Sequence, residues 1–317
     1  QRVQALLQEI PPSLPFSTSP EIRAQCRTLI KGAKEQGRQT LTHSETAQVL
    51  EAYGIPTAPS VYLANPDEAL ARATEIPGTK ALKVVHEGNC RPYRYRKHPH
   101  KISAGLLQDL ETPEQVAEGV RRLGEKVAEK FPEYAIREYC LQPMQRGKHS
   151  MQICAGITRD PVFGPLIVFG IGGYKVNVLA DRQVALPPLN MSLAADVVGR
   201  THAASLIREH SADPDRDIQH LCQMLVKLSQ MASDLGDLRG LEVNPLLLNR
   251  DGMVAVDFAM DLGTPSRFAI MPYPEELREW VTLKNGWKVE VRPIRAEDAH
   301  LITTFHRQLS EESIRFR

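Results

Sequence analysis

The spacing of apolar residues predicts helices and strands that alternate along most of the chain. After capping sequences such as Thr42-His43-Ser44-Glu45 and Asp213-Pro214, apolar residues recur every three or four positions, which is the helical period. Short apolar or alternating runs predict strands, as in Ala81–Val85, 165–169, 176–179, 253–261 and 288–292, and a further helix is predicted from about Leu193. Because strands and helices interleave without an internal repeat, the predicted fold class is α/β, with α+β subdomains and mixed sheets.

Changes in periodicity and proline content divide the chain into four predicted parts. Residues 1–40 are expected to hold a linker and a helix from a preceding domain, and 41–262 the main domain. Residues 263–285 are predicted to be a linker, and 286–317 to begin a second small domain with a strand and a helix. Since the sequence starts without Met and stops just after a predicted helix begins, we expect it to be part of a longer protein.

The composition argues against a wholly disordered chain, a collagen or a coiled coil. The chain has 317 residues, 39 Lys and Arg against 38 Asp and Glu, and 42% hydrophobic residues, which is ordinary globular composition. Its overall charge does not indicate a nucleic-acid or membrane partner. Apolar runs stay below the roughly 18 residues that span a bilayer. The five scattered cysteines are typical of reduced thiols and predict a cytoplasmic protein.

The strongest chemical pattern is a predicted β-hairpin over residues 241–257. If Asn249–Gly252 forms its loop, Asn244 lies directly opposite Asp257, with Cβ atoms about 5 Å apart. Glu242 lies two residues from Asn244 and therefore on the same face. These oxygen ligands suit Mg²⁺. The alternative is a polar sheet face covered by water, and the spacing alone leaves both interpretations open.

Three further patterns carry weaker signals. Gly170, Gly172 and Gly173 follow an apolar strand, so their N–H groups could approach an anion or could form only a tight turn. Lys83 interrupts an apolar strand and could meet a phosphate or reach water at a sheet edge. Segment 90–101 interleaves five Arg or Lys with two Tyr and could bind phosphates, bind a nucleic-acid strand, or form a solvated insertion. It contains His100, the histidine most worth testing for a catalytic role.

A set of short motifs, in a fixed order, resembles a known family. They are Tyr53–Pro56, Ala81–Lys83, His100-Lys101, Leu141–Met144, Asp160–Pro165, Phe169–Gly173, Leu186–Leu189 and Leu241–Leu246. Over about residues 40–262 they resemble the ATP-grasp domain of NDP-forming acyl-CoA synthetases, relatives of the succinyl-CoA synthetase β chain. The resemblance implies an ATP-grasp fold whose two subdomains enclose a nucleotide cleft.

The resemblance also implies roles for the matching residues. Lys83 would contact the phosphates of ATP, Mg²⁺ would be held by the hairpin residues, and His100 would lie near a phosphoryl relay. The residues implied in binding ATP are Lys83, Lys101, Leu141, Gln142, Met144, Gly170, Gly172 and Gly173, with Leu141–Met144 forming the hinge against adenine. The implied metal ligands are Asn244, Asp257 and Glu242.

The chain departs from the family pattern at a few positions. The family usually has Glu where this chain has Gln152, and again near Asn177, so two carboxylates become neutral amides. The basic segment before His100 looks like an insertion. Because phosphoryl transfer needs metal, positioned phosphates and an acceptor together, ATP binding is better supported by the sequence than turnover.

The end of the chain resembles a second family. Val291–Asp298 and Ser310–Arg317 are similar to the first strand and helix of a GNAT N-acetyltransferase domain. A synthetase-like region followed by GNAT is the layout of Pat-type protein lysine acetyltransferases. The main functional expectation is therefore an ATP- and Mg²⁺-binding module of such an enzyme. In the full-length protein, acetyl-CoA and protein lysines would be the ligands of the GNAT domain.

Other functions remain open at this point. The chain could belong to a catalytic acid–thiol ligase that forms acyl-CoA with ATP and partner domains, and phosphorylation of His100 would favour this. It could instead be a sensing module that binds acyl-CoA or nucleotide without catalysis, as Gln152 and Asn177 suggest. Nucleic-acid binding through residues 90–101 is the weakest alternative. An oligomer is possible and a membrane partner is not expected.

Overall fold

The structure is a computed structural model that describes most of the chain. The described residues are 18–86, 105–130, 132, 136–145, 150–173, 181–249, 252–265, 267–270, 277–294 and 298–315. They separate into two compact units, one that ends at Ile270 and one that begins at residue 277. Each unit is described by itself.

Helices and strands interleave in the first unit, as the apolar pattern predicts, and two strands precede two helices in the second. The helices of the described residues are α1 (Pro20–Glu35), α2 (His43–Ala52), α3 (Pro66–Arg72), α4 (Pro113–Lys130), α5 (Met191–Gly199), α6 (His202–His210), α7 (Pro214–Asp234), α8 (Ala299–Arg307) and α9 (Glu311–Arg315). The strands are β1 (Val61–Leu63), β2 (Lys80–His86), β3 (Leu106–Leu110), β4 (Ile136–Pro143), β5 (Met151–Asp160), β6 (Gly164–Ile171), β7 (Arg182–Ala185), β8 (Leu238–Asn249), β9 (Gly252–Ala255), β10 (Phe258–Leu262), β11 (Glu279–Thr282) and β12 (Lys288–Val291).

The smaller sheet of the first unit has four antiparallel strands in the order β1-β4-β2-β3. Helices α3 and α4 pack on it and close the first core. In α4, Val116, Val120, Leu123 and Val127 lie on one face and are at most 2% exposed. Burying each such side chain contributes about 1.5–3 kcal/mol, so this face holds the helix on the sheet.

The larger sheet has the order β10-β8-β5-β6-β7, with β9 also paired to β8. Helices α1, α2, α5, α6 and α7 share its core. The prediction that the helix within residues 1–40 belongs to a preceding domain is therefore wrong, because α1 packs in this core. Helix α7 contacts β5 and β6 through a face that includes Leu221, Leu225 and Leu228, which are fully buried. The first unit therefore consists of two antiparallel sheets, each with its own helices and its own hydrophobic core.

Local capping residues start the helices where the sequence predicts them. The Thr42 hydroxyl accepts a hydrogen bond from the Glu45 amide at 3.1 Å, and the Glu45 carboxylate accepts one from the Thr42 amide at 2.7 Å. This capping box satisfies two N–H groups at the start of α2 and makes His43 the first residue of that helix. Asp213 caps α7 through a single hydrogen bond, which its side chain accepts from the Arg216 amide at 3.2 Å, and Pro214 is the first residue of the helix.

Several elements differ from the sequence predictions. The predicted helix from about Leu193 is divided into α5 and α6, because Thr201 caps a new helix. The strand predicted over 253–261 is interrupted between β9 and β10. Strands β3 and β7 were not predicted, because they are too short for a clear apolar period. The strand predicted at 176–179 lies outside the described residues.

The second unit consists of an antiparallel pair, β11 with β12, and helices α8 and α9. The sequence analysis assigned Glu279–Thr282 to a linker, and that prediction is wrong because these residues form β11. The predicted strand at 288–292 and the following helix are present, with the helix beginning at Ala299. Within the described ranges, no helix combines the length and apolar character that crossing a bilayer requires.

Candidate functional site

The hairpin of β8 and β9 has the register that the loop length predicts. Asn249 pairs with Gly252, and Val243 pairs with Phe258 further along the hairpin. Between them the Asn244 amide donates a hydrogen bond to the Asp257 carbonyl oxygen at 2.8 Å. Asn244 and Asp257 are therefore direct cross-strand neighbours.

The Asn244 side chain is completely buried and fixed at both ends. Its Oδ1 accepts a hydrogen bond from the Gly173 N–H at 2.7 Å, and its Nδ2 lies 3.5 Å from Oε1 of Glu242. An amide oxygen has two lone pairs, and this hydrogen bond uses one of them. The structure thus brings two of the three predicted metal ligands into contact.

Lys83 joins the two sheets at this place. Its neighbours Leu82 and Val84 are buried in the core of the smaller sheet, so the Lys83 side chain points from the opposite face of β2. Its Nζ lies 2.8 Å from the Val256 carbonyl oxygen and 3.3 Å from Oδ1 of Asp257. The Lys83 side chain is 13% exposed and the Asp257 side chain 31%. The ammonium of the smaller sheet thus neutralises the carboxylate of the larger one.

His43 completes the surroundings of Lys83, and the sequence analysis did not single it out. Its Nε2 lies 2.9 Å from Lys83 Nζ, and its Nδ1 lies 2.8 Å from the hydroxyl of Tyr62. The imidazole stacks on Phe258, with ring centroids 4.1 Å apart. Burial raises the pKa of Tyr62 far above its ordinary value, so its hydroxyl stays neutral. Only the position of His43 directly after a helix cap could have drawn attention to it.

Gln142 contributes a second link between the sheets. Its side chain is buried, and Nε2 donates hydrogen bonds to the Ser60 hydroxyl at 2.9 Å and to the Val256 carbonyl at 3.2 Å. Leu141 lies in the hydrophobic core of the smaller sheet, and the Met144 amide donates to the Thr79 carbonyl at 2.8 Å. The adenine role of Leu141–Met144 remains a prediction.

The glycines at the end of β6 and directly after it are needed for close backbone packing. A Cβ on Gly170 would lie 1.6 Å from the Asp181 carbonyl oxygen, and one on Gly172 would lie 2.4 Å from the Ile153 carbonyl. Gly173 has φ +69°, a backbone conformation that favours glycine. The Gly172 amide donates to the Gln152 carbonyl at 2.7 Å. Since the amides of Gly172 and Gly173 already have protein acceptors, their contact with phosphate remains a prediction.

The neutral residue at position 152 lies beside this turn. A Cβ on Gly173 would lie 1.7 Å from Oε1 of Gln152, so the Gln152 side chain packs directly against the glycine that holds Asn244. The other residues singled out in the sequence, His100, Lys101, Asn177 and segment 90–101, lie outside the described residues. Their roles remain predictions.

The predicted ligands fit a hard cation by their chemistry. Glu242, Asn244 and Asp257 offer two carboxylates and an amide oxygen, which Mg²⁺ accepts together with water or phosphate oxygens. In the part of the chain that the structure describes, no group of three His, Cys, Asp or Glu side chains is arranged for a metal ion. The set Glu242, Asn244 and Asp257 does not count as such a group, because Asn244 contributes an amide and not a carboxylate.

Comparison with known families identifies the fold. The model of the ATP-grasp domain matches residues 32–262 of this chain. The match covers both sheets of the first unit, so the chain belongs to the ATP-grasp family. Its α/β fold is the ATP-grasp fold that the sequence predicts for residues 41–262. The prediction of mixed sheets is wrong, because the strand pairs described in the first unit are antiparallel.

Curated relatives indicate which kind of ATP-grasp protein this chain resembles. The chain is 27% identical over 236 residues to the β subunit of acetate–CoA ligase [ADP-forming] II from Pyrococcus furiosus, covering 74% of this chain and 96% of the relative. It is 28% identical over 241 residues to acetate–CoA ligase [ADP-forming] I from Archaeoglobus fulgidus, covering 76% of this chain and 33% of the relative. These relatives are enzymes, and they agree with the ligase alternative better than with the acetyltransferase expectation.

Solved structures agree with this assignment. A dinucleotide-forming acetyl-coenzyme A synthetase 1 from Ca. Korarchaeum cryptofilum, in complex with coenzyme A, Ca-AMPCP and HgCl⁺, is 25% identical with a TM-score of 0.65. The match covers 74% of this chain and 99% of that one. The protein PH1788 from Pyrococcus horikoshii is 26% identical with a TM-score of 0.61, covering 76% and 99% of the two chains. This chain therefore carries the ATP-grasp module found in ADP-forming acyl-CoA synthetases.

Proposed function

We propose that this chain is the nucleotide-binding part of an ADP-forming acyl-CoA ligase, which binds ATP with Mg²⁺ between its two sheets. The observation that carries the proposal is the 3.3 Å contact between Lys83 of one sheet and Asp257 of the other, beside Asn244. Where the two sheets meet, one supplies a cation and the other supplies oxygen ligands. This arrangement suits a nucleoside triphosphate and its metal. The family and its curated relatives support the same function.

In this proposal each group has a separate task. The Lys83 ammonium binds phosphate oxygens as a point charge, and Leu141–Met144 lies against adenine. Glu242, Asn244 and Asp257 hold Mg²⁺, which when bound would neutralise phosphate charge. The 31% exposure of the Asp257 side chain leaves its carboxylate accessible to such a ligand.

The complete ligase reaction needs more than this chain. The match with the Archaeoglobus fulgidus enzyme covers only 33% of that protein. We infer that the acyl-CoA is handled by further domains or subunits, and that His100 is the acceptor of the phosphoryl group on this chain. Lys101 would then stabilise the transferred phosphoryl group. A cytoplasmic location and an oligomeric assembly belong to the same proposal.

Calorimetric titration with ATP, with and without Mg²⁺, tests nucleotide binding. We expect Mg²⁺-dependent binding that weakens at least about tenfold in Lys83→Met, because a buried charge-assisted contact is lost. Lys31→Met is the matched control, since the Lys31 side chain is 77% exposed on α1 and its ion pair is with Glu35 of the same helix. Equal ATP affinity in the Lys83→Met and Lys31→Met variants would overturn the proposal.

Transfer of labelled phosphate separates a ligase from a module that only binds. We expect γ-labelled ATP to label the wild-type chain on histidine and to leave His100→Ala unlabelled. Stable ATP binding without labelling would instead favour the sensing module, whose motivation is the neutral Gln152 beside Gly173.

A second candidate function is a protein lysine acetyltransferase that contains this module. One observation favours it: β12 is followed by α8, in the order expected from the resemblance of residues 286–317 to a GNAT domain. Acetyl transfer from acetyl-CoA to a lysine peptide by the full-length protein tests it. If the full-length protein forms acyl-CoA from acid, ATP and CoA but acetylates no peptide, this candidate is wrong.

A further inference from the structure

We propose that His43 is a positioning residue that fixes the Lys83 ammonium for a phosphate ligand. The proposal rests on the proposed function, because it assumes that Lys83 binds the phosphates of ATP. It assigns a role to a side chain that neither the motifs nor the family match distinguish.

Three acceptors surround the Lys83 ammonium. An ammonium group has three N–H donors and no acceptor. Its acceptors here are Nε2 of His43 at 2.9 Å, the Val256 carbonyl at 2.8 Å and Oδ1 of Asp257 at 3.3 Å. The two shorter contacts are to neutral acceptors on other elements of the chain, and the longest is to the carboxylate. A phosphate oxygen can therefore replace Asp257 while His43 and Val256 keep the ammonium in place.

The same contacts define the protonation state of His43. Because the lysine ammonium only donates, we assign Nε2 of His43 as the unprotonated acceptor of this hydrogen bond. The same Nε2 lies 3.9 Å from Oδ1 of Asp257, which is too far for a hydrogen bond. The ring proton is then on Nδ1, which donates to the Tyr62 hydroxyl oxygen at 2.8 Å. A protonated imidazole would put two cations 2.9 Å apart at a buried place. A neutral acceptor holds the lysine without reducing the positive charge that it offers to phosphate.

The position of His43 is rigid. Its residue exposure is 8%, its ring stacks on Phe258 at 4.1 Å, and the Thr42 capping box fixes the backbone at the start of α2. Phe258 follows Asp257 directly and belongs to β10. His43 therefore orients the lysine relative to the carboxylate that the proposal assigns to the metal.

Two substitutions at position 43 separate positioning from packing. His43→Phe keeps the ring on Phe258 but removes both hydrogen bonds, and His43→Gln keeps an acceptor for Lys83. We expect His43→Phe to weaken ATP binding about tenfold and His43→Gln to restore it to within about threefold of wild type. Binding of adenosine, which has no phosphate, should be unchanged in both variants. Equal ATP affinity of wild type and His43→Phe, or equal losses for ATP and adenosine, would overturn the proposal.

A double-mutant comparison tests whether His43 acts through Lys83. In a Lys83→Met background, His43→Phe should cause no further loss of ATP affinity. If Lys83→Met alone leaves ATP binding unchanged, the proposed function fails. If Lys83→Met weakens binding but His43→Phe does not, only the role of His43 fails.

The position of the His43 ring proton can be measured without nucleotide, so this test does not depend on activity. Nitrogen NMR of the imidazole at one neutral pH should show the His43 proton on Nδ1 in wild type, with less of this tautomer in Tyr62→Phe. A proton on Nε2 of His43 in the wild-type protein would contradict the proposal.

Discussion

The substitution Asn244→Asp tests the metal site most directly. An aspartate oxygen can still accept the hydrogen bond from the Gly173 N–H, which Asn244 accepts at 2.7 Å. The substitution changes the chemistry at the other end of the side chain, where Nδ2 lies 3.5 Å from Oε1 of Glu242. The Asn244→Asp variant replaces that donor with a second carboxylate oxygen.

The size of the effect follows from the distance. Two unit charges at this separation repel by about 5 kcal/mol for an effective dielectric constant of about 20. Because Glu242 is only half-buried and either carboxyl can bind a proton, we expect a loss of about 2–4 kcal/mol in the free energy of unfolding. For a unit of this size, that lowers Tm by about 4–16 °C.

Thermal unfolding with EDTA and with Mg²⁺ measures the prediction. If Glu242, Asn244 and Asp257 face one cation, Mg²⁺ should restore most of the lost Tm in Asn244→Asp, since it binds between the two carboxylates. Asn244→Ala is the control: it loses about 1–3 kcal/mol through the unpaired Gly173 N–H, and Mg²⁺ should not restore it. The reasoning is refuted if Mg²⁺ shifts the Tm of both variants by the same amount.

Three further outcomes follow from the structure. Gly173→Ala should lower the free energy of unfolding by about 1–3 kcal/mol in urea, because φ is +69° and Gln152 lies in the way. Gly199→Ala, which has open space, should not, and equal effects would contradict the packing argument. Asp234→Ala should cost about 1–3 kcal/mol by the same assay, because the buried Tyr53 hydroxyl loses its acceptor; a loss below about 0.5 kcal/mol would contradict this. Burial raises the pKa of three thiols, so a thiol reagent at pH 8 should label all four described cysteines only after unfolding. Fast labelling of any of these four in the folded protein, located by mass spectrometry, would exclude this. The thiols with raised pKa are Cys26, Cys140 and Cys222, the last at about 11, and the fourth described cysteine is Cys154.

The sequence predicted the parts of the site that depend on near neighbours. The loop Asn249–Gly252 sets the hairpin register, and the register alone places Asn244 opposite Asp257. Alternation along β2 likewise places Lys83 on the face away from Leu82. These predictions succeeded because strand geometry relates residues that are two positions apart or directly paired.

Other parts of the site depend on distant contacts. His43 and Lys83 are 40 positions apart, and Lys83 and Val256 are 173 apart. No local period connects such residues, so the sequence analysis considered His100 and did not consider His43. The hydrogen bonds of Gly172 and Gly173 could not be predicted for the same reason, because tertiary packing determines which groups accept from their amides.

The sequence by itself determined the helix starts, the register of the hairpin and the membership of the chain in the ATP-grasp family. Each depends on short-range interactions or on motifs whose order can be read from the sequence alone. Only the tertiary structure decided which acceptors surround the Lys83 ammonium, and that Asn244 is held by Gly173. The physical reason is that two sheets with separate hydrophobic cores meet at this junction, and the geometry of their packing is not encoded in any single stretch of residues.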